Sequence, residues 1–323
     1  KKCPACFKRY ISSTGEFFYH LKFWHHSVHQ PRCGVCLKHC RSFESVREHL
    51  HVTVPDGLSR PFKEKCSEIF AKQGCTLCLK VFEDATALAE HIKMCRLSPP
   101  PPFEPDILFP EVNASPARGL NTSGTRMKAM ALDCEMVGGG DDGSLDLCAT
   151  VCLVDQDEKV ILFTLVQPQQ TVTDYREAVT GLTEEDLKQG MRLEDVRDRV
   201  LEILRGDGGH LLIGHDLIHD MRCLQLQYPR ALWRDTAKYE PLMKTNLVSH
   251  SLKYLTRSYL GYEIQCGKHN PYEDCVSVMR LYKKIRDQGL NSCTQNDKMK
   301  KQQELQNVYS NSTSAYVCWC HDN

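Results

Sequence analysis

The run Ala131-Leu132-Asp133-Cys134-Glu135-Met136-Val137 constrains this chain more than any other stretch. It closes a segment that reads as a β-strand. Side chains alternate across a strand, so Asp133 and Glu135 share one face. Two carboxylates that close on an apolar strand repel each other unless a cation lies between them. Hard oxygen ligands of this kind suit Mg²⁺ or Mn²⁺. A half-buried strand with its polar face in water would show the same residues. The pair therefore acquires meaning from what accompanies it elsewhere.

What accompanies it is an alternation of strand and helix signals. Residues 127–137, 145–155 and 159–167 read as an antiparallel meander joined by Gly-rich and acidic turns. Thr183-Glu184-Glu185-Asp186 looks like a helix N-terminus, and 193–204 like an amphipathic helix. Residues 210–215 read as a buried strand followed by a helix over 216–226, and further helices are expected over 251–260 and 272–287. Strands first and alternation later predict an α/β domain built on a mixed sheet flanked by helices.

In that arrangement Asp220 lies just past a buried strand, Asp274 lies in the first turns of the last helix, and His269 lies on the loop entering it. Four carboxylates from three segments can hold two divalent ions about 4 Å apart around a phosphodiester. His269, with an ordinary pKa near ~6.5, suits a general base for the attacking water. Each residue also has a plainer use. Asp220 could be a surface acid, Asp274 could pair with Arg280 or Lys284, and His269 could cap the helix.

Residues 1–96 carry a different metal signature. Cys3-x2-Cys6 is followed by His20-x4-His25, with His26 as an alternative ligand, and Cys75-x2-Cys78 by His91-x3-Cys95. Both match ββα zinc-finger spacing, with a thiolate pair on a hairpin and a second pair on a helix. In the middle segment Cys33, Cys36 and His49 fit, and Cys66, across a loop containing Pro55-Asp56-Gly57, is the best fourth ligand. Two or three structural Zn²⁺ ions are expected, each stabilising a unit too small to fold on its own core. Phe18, Lys22, Phe23 and Trp24 mix rings with positive charge, which fits RNA or single-stranded DNA, and fits a protein face equally well.

Charge and composition agree with this division. Residues 1–96 hold 16 Lys and Arg against 9 Asp and Glu, whereas 129–289 hold 19 against 26. A basic piece beside an acidic one suits a polyanion on the first and metal on the second. The 18 cysteines fall largely at metal spacing rather than in a disulfide framework. No apolar run approaches the roughly 20 residues of a membrane span. The Pro-rich stretch 97–128 reads as a linker and 290–323 as a disordered tail. Lys1 stands two residues before a zinc ligand, so further sequence is expected upstream. Protein partners are not legible.

The motifs Leu132-Asp133-Cys134-Glu135-Met136-Val137, Val172-Thr173-Asp174-Tyr175-Arg176, Ile213-Gly214-His215 with Asp220, Arg234-Asp235-Thr236-Ala237, Ser251-Leu252-Lys253-Tyr254-Leu255, and His269 through Asp274-Cys275 occur in one order over 129–289. In that set the chain resembles the DEDDh 3′→5′ exonucleases, and within them the RNA exonuclease 4-like group. The resemblance implies a ribonuclease H-like fold, two Mg²⁺ or Mn²⁺ ions, and stepwise release of nucleoside 5′-monophosphates from a 3′ end. By position, Asp133, Glu135, Asp220 and Asp274 match the four acids and His269 the final histidine. Met136 matches a position that packs on the terminal nucleotide. His219 stands where the family commonly has Asn, and is a second possible substrate contact. Reduced cysteines and a nucleic-acid substrate favour the nucleus, nucleolus included, over the cytoplasm. The competing expectation is a non-catalytic adaptor in which the fingers bind nucleic acid and the second domain is scaffold.

Overall fold

Why the strands and helices fall where they do follows from burial, and the computed structural model describes residues 31–51, 61–103 and 128–292. The first predicted finger, with Cys3, Cys6, His20 and His25, lies outside the described residues, as do most of the linker and the tail. Two units are distinguished: one contains the N-terminal stretch through Ser98 together with Ala237–Glu263, the other Pro99–Thr236 and the chain from Ile264 onward.

In the first unit, each of the two described Cys-x2-Cys turns sits on a short antiparallel hairpin, bridged at Arg32–His39 and at Gly74–Val81. The residue after each second cysteine, Leu37 or Leu79, adopts a left-handed conformation. Its amide donates back to the first cysteine's carbonyl at 3.0 and 2.8 Å. Helix α1 (Phe43–Leu50) begins at Ser42, whose hydroxyl accepts from the Ser45 amide, and helix α3 (Ala85–Cys95) is capped likewise by Asp84. Between them lies helix α2 (Pro61–Gln73), where the sequence suggests only a loop to Cys66. Val46, Leu50, Cys66, Phe70 and Leu79 make a small core shared by the middle and third hairpins.

The second unit is a seven-stranded mixed sheet. Strands β1 (Ala129–Gly139), β2 (Leu145–Asp155) and β3 (Val160–Gln167) form the expected meander. Short strands β4 (Val172–Asp174), β5 (Met191–Arg192), β6 (Leu211–Gly214) and β7 (Trp233–Asp235) complete it. The order is β5-β3-β2-β1-β6-β7, with β4 paired to the end of β1. β6 runs parallel to both β1 and β7. Of the helices, α4 (Glu177–Thr180) is one turn, and α5 (Glu184–Lys188) starts in a Thr183–Asp186 capping box. Helix α6 (Leu193–Arg205) buries Leu193, Val196, Val200 and Leu204. Helix α7 (Ile218–Cys223) follows β6 directly.

Helix α8 (Leu252–Leu255) belongs to the first unit and runs into a wide π turn, Thr256–Leu260. The last helix, α9 (Pro271–Ser292), packs on β1, β2 and β6. This is the ribonuclease H-like arrangement that the resemblance implies: a mixed sheet with helices on its faces. No helix among the described residues is long and apolar enough to cross a membrane.

Candidate active site

β1 is central in its sheet, so a polar face there must look into a cleft or be paired. Asp133 pairs across to Cys152 and Glu135 to Thr150, and the ladder slips between Glu135 and Met136. The two carboxylates therefore share a face up to that bulge, as period-two alternation requires. Cys134 points the other way, and its thiol clusters with those of Cys148 and Cys223, all buried.

Asp220 is delivered by a constrained turn. Gly214 ends β6, and a Cβ there would come within 2.2 Å of the Leu217 side chain. Asp216 takes up a left-handed φ of 59°. The carboxylate of Asp235, at the end of β7, accepts from the Asp216 and Leu217 amides at 2.8 and 3.2 Å. His215 Nδ1 meets Thr236 Oγ1 at 2.8 Å beside it. α7 then starts with Asp220 buried, its Oδ1 accepting from the Cys134 amide at 3.1 Å. A helix residue and β1's backbone are joined through this one buried carboxylate.

Asp274 enters from α9 and is also buried. Gln265 Nε2 donates to its Oδ2 at 2.8 Å, while its Oδ1 is buried without a hydrogen-bond partner. Arg280, a candidate partner by sequence, is instead engaged with Glu158 at 2.6 Å. His269 is fixed at its backbone by a 2.7 Å bond to the Val179 carbonyl. Ligand-capable atoms of Glu135, His269 and Asp274 all lie within 4.8 Å of one another.

These carboxyls hold protons unusually well. Burial, then the charges of Asp274, Asp220 and Glu135, pushes Asp133 well above the ordinary range. Burial, then the nearby Cys223, does the same to Asp220. Burial raises Glu135 to about 7, and raises Asp274 to about 7 against the opposing bond from Gln265. A cluster of acids that must either keep protons or gain cations, with one buried oxygen unpartnered, has the donor set of a divalent-cation site. The residues present fit Mg²⁺ or Mn²⁺.

The two proposed substrate contacts are less committed. Met136 is half-buried and packs against the core cluster of the sheet. His219 is half-exposed, 3.9 Å from Asp146 and 3.6 Å from Asp216. Sequence reasoning overlooked Gln265 and the anchoring role of Asp235. The second stands in a quoted motif; the first carries no signal, since its value comes from a contact nine residues along the chain.

The cysteine groups assemble as their spacing predicts. Cys33, Cys36, His49 and Cys66 bring four donor atoms within 4.8 Å of one another, and Cys75, Cys78, His91 and Cys95 do likewise. Cys36 Sγ lies 3.4 Å from His49 Nε2, and Cys78 Sγ 3.2 Å from His91 Nε2. Cys66 comes from α2, and burial raises its thiol to about 12. Cys40 is outside the group. Thiol and imidazole donors in four-fold sets are the chemistry of structural Zn²⁺.

Comparison with known proteins adds a second line. Residues 130–282 match the family model described as Exonuclease, RNase_T. The chain is 41% identical over 161 residues to RNA exonuclease 4 of Homo sapiens, covering 49% of this chain and 37% of that protein. It is 36% identical over 159 residues to RNA exonuclease 4 of Saccharomyces cerevisiae, covering 49% and 54%. Among solved structures it is similar to the Neurospora crassa Pan2 catalytic unit at 21% identity and TM-score 0.46, over 58% of this chain and 31% of that one. It is also similar to the Saccharomyces cerevisiae Pan2 module in complex with A7 RNA, at 22% identity and TM-score 0.45, over 58% and 32%. The chain thus spans from about a third to a half of the curated relatives it matches.

Proposed function

We propose that the chain is a metal-dependent 3′→5′ exonuclease that shortens RNA, and secondarily single-stranded DNA, to nucleoside 5′-monophosphates. The observation that carries this reading is the convergence of Asp133, Glu135, Asp220 and Asp274 from three separated segments, with His269 within 4.8 Å of two of them. RNA is put first because the matched curated relatives are RNA exonucleases.

In this reading the four carboxylates would hold two Mg²⁺ or Mn²⁺ ions, which would supply Lewis acidity when bound. Gln265 occupies one oxygen of Asp274 and leaves the other for a cation. The Asp235 clamp fixes the turn that presents Asp220. His269 accepts the proton of the attacking water. The water oxygen bonds to phosphorus as the bond from phosphorus to the 3′ oxygen breaks, and the departing oxygen takes a proton from solvent, which gives a nucleoside 5′-monophosphate and a shortened chain with a free 3′-hydroxyl. Zn²⁺ at the cysteine groups is structural, and Met136 and His219 are assigned to the terminal nucleotide. The nucleus is the proposed compartment.

The test is digestion of a 5′-labelled single-stranded RNA and of the matching DNA, with Mg²⁺, with Mn²⁺ and without either. Expected is a ladder shortening from the 3′ end that requires metal and disappears in Asp133→Ala and Asp220→Ala. Folded, zinc-loaded protein that cuts neither strand would leave the adaptor as the surviving account.

A further inference from the structure

In a duplex-reading ββα finger, bases are contacted from the position before the helix and from helix positions three and six. In the middle finger these are Ser42, Ser45 and Glu48, with Glu44 beside them on α1. Ser42, Glu44 and Ser45 are buried or half-buried against the molecule's own chain, and Glu48, though exposed, is engaged by Thr245. Ser42 is fully buried, and its hydroxyl meets that of Ser45 at 3.1 Å. Ser45 Oγ reaches Thr245 Oγ1 at 3.5 Å, and Thr245 Oγ1 in turn donates to Glu48 at 2.9 Å. Glu44 takes a 2.6 Å bond with His250, whose side chain is 6% exposed and stacks on Tyr254.

The flanks of the helix are committed to the same segment. Arg41 makes two bonds to Glu240, at 3.2 and 3.3 Å. Arg47 donates to the Ser258 carbonyl at 2.8 Å and lies over the Tyr259 ring. The corresponding positions of the third finger, Asp84, Ala87 and Glu90, are exposed. The difference belongs to the middle finger alone among the described residues. Its reading face also presents two glutamates, the wrong sign for a phosphate backbone.

We infer that the middle finger is an intramolecular docking module: its reading face binds segment Ala237–Glu263 of the matched exonuclease stretch, and its zinc supports that segment rather than nucleic acid. The segment is no peripheral loop in the chain's course. It is spliced between Asp235, which clamps the turn ahead of Asp220, and Gln265, which donates to Asp274. A zinc ion remote in chemistry from the carboxylate site thereby sustains the segment joining two of that site's supports. The inference stands on contacts within one unit and does not depend on the proposed activity.

Amide hydrogen exchange on the full chain tests it. In Arg41→Ala/Glu44→Ala, with zinc content equal to wild type, exchange in 237–263 should rise roughly tenfold, the scale of losing charge-assisted bonds. Thr245→Val, which leaves the finger's own residues intact, should raise exchange in α1 several-fold, about the effect of losing two exposed side-chain bonds, one of them to a carboxylate. Cys36→Ser should release 237–263 at least as much as the double variant. Wild-type exchange of the segment in the double variant, or of α1 in Thr245→Val, overturns the inference.

Discussion

Replacing Glu135 with Gln should stabilise the metal-free protein while destroying its metal site. Glu135 is 8% exposed, and burial raises its carboxyl from 4.5 to about 7. A folded pKa above the unfolded value means that the folded state binds the proton more tightly. The stability this contributes is full below about 4.5 and is lost as the pH climbs through about 7. At ~1.36 kcal/mol per pH unit, the full penalty is about 3 kcal/mol. Gln is the neutral isostere and carries no such penalty. The variant should therefore gain little over wild type at pH 5 and about 2–3 kcal/mol at pH 8, roughly 5–10 °C in Tm for a domain of this size.

The assay is thermal unfolding in metal-free buffer, at matched zinc content, from pH 5 to 8, repeated with Mg²⁺. Mg²⁺ should raise the wild-type Tm most at pH 8, because the cation replaces the proton that the carboxyl has lost. It should raise the variant's much less. A variant no more stable than wild type at pH 8 would refute the reasoning, since Glu135 would then ionise there without cost.

Three further outcomes follow from particular contacts. His269→Ala should lower the exonuclease rate by about 10²–10⁴-fold with Tm unchanged, read by single-turnover digestion. Gln265→Ala should raise the Mg²⁺ concentration needed for half-maximal rate by about tenfold, because a partner that orients Asp274 is lost; a Mg²⁺ titration of initial rate checks it. Cys66→Ser should remove one zinc ion per chain by elemental analysis, whereas Cys40→Ser should leave the content unchanged, as Cys40 lies outside the four-donor group.

The parts of this molecule that local periodicity governs were legible in its sequence. Alternation put Asp133 and Glu135 on one face, and thiol spacing found both described four-donor sets, including Cys66 across a long gap. The edges of β2 and α6 emerged within a residue or so, because their apolar patterns end abruptly at turns. Strands β4, β5 and β7 were not legible: two or three residues do not make a period. Nor was the bulge after Glu135, which depends on β2 opposite it. The attachment of Ala237–Glu263 to the middle finger lies beyond any pattern of one segment. It is written in pairs such as Arg41 with Glu240 and Glu44 with His250, about 200 positions apart. Gln265 and its bond to Asp274 belong with these, since only the completed turn brings them together.

One such long-range join has a consequence for synthesis. The Cys275 thiol, one residue beyond Asp274, packs onto the Ala131 carbonyl across 144 positions, so β1 waits for α9. A ribosome adding about 5–20 residues per second needs roughly 7–30 s between them. During that interval the nascent chain displays Asp133, Glu135 and then Asp220, but its fourth acid does not exist. Translation itself thus acts as a timer. Until α9 is made, the emerging polypeptide cannot assemble the complete carboxylate set.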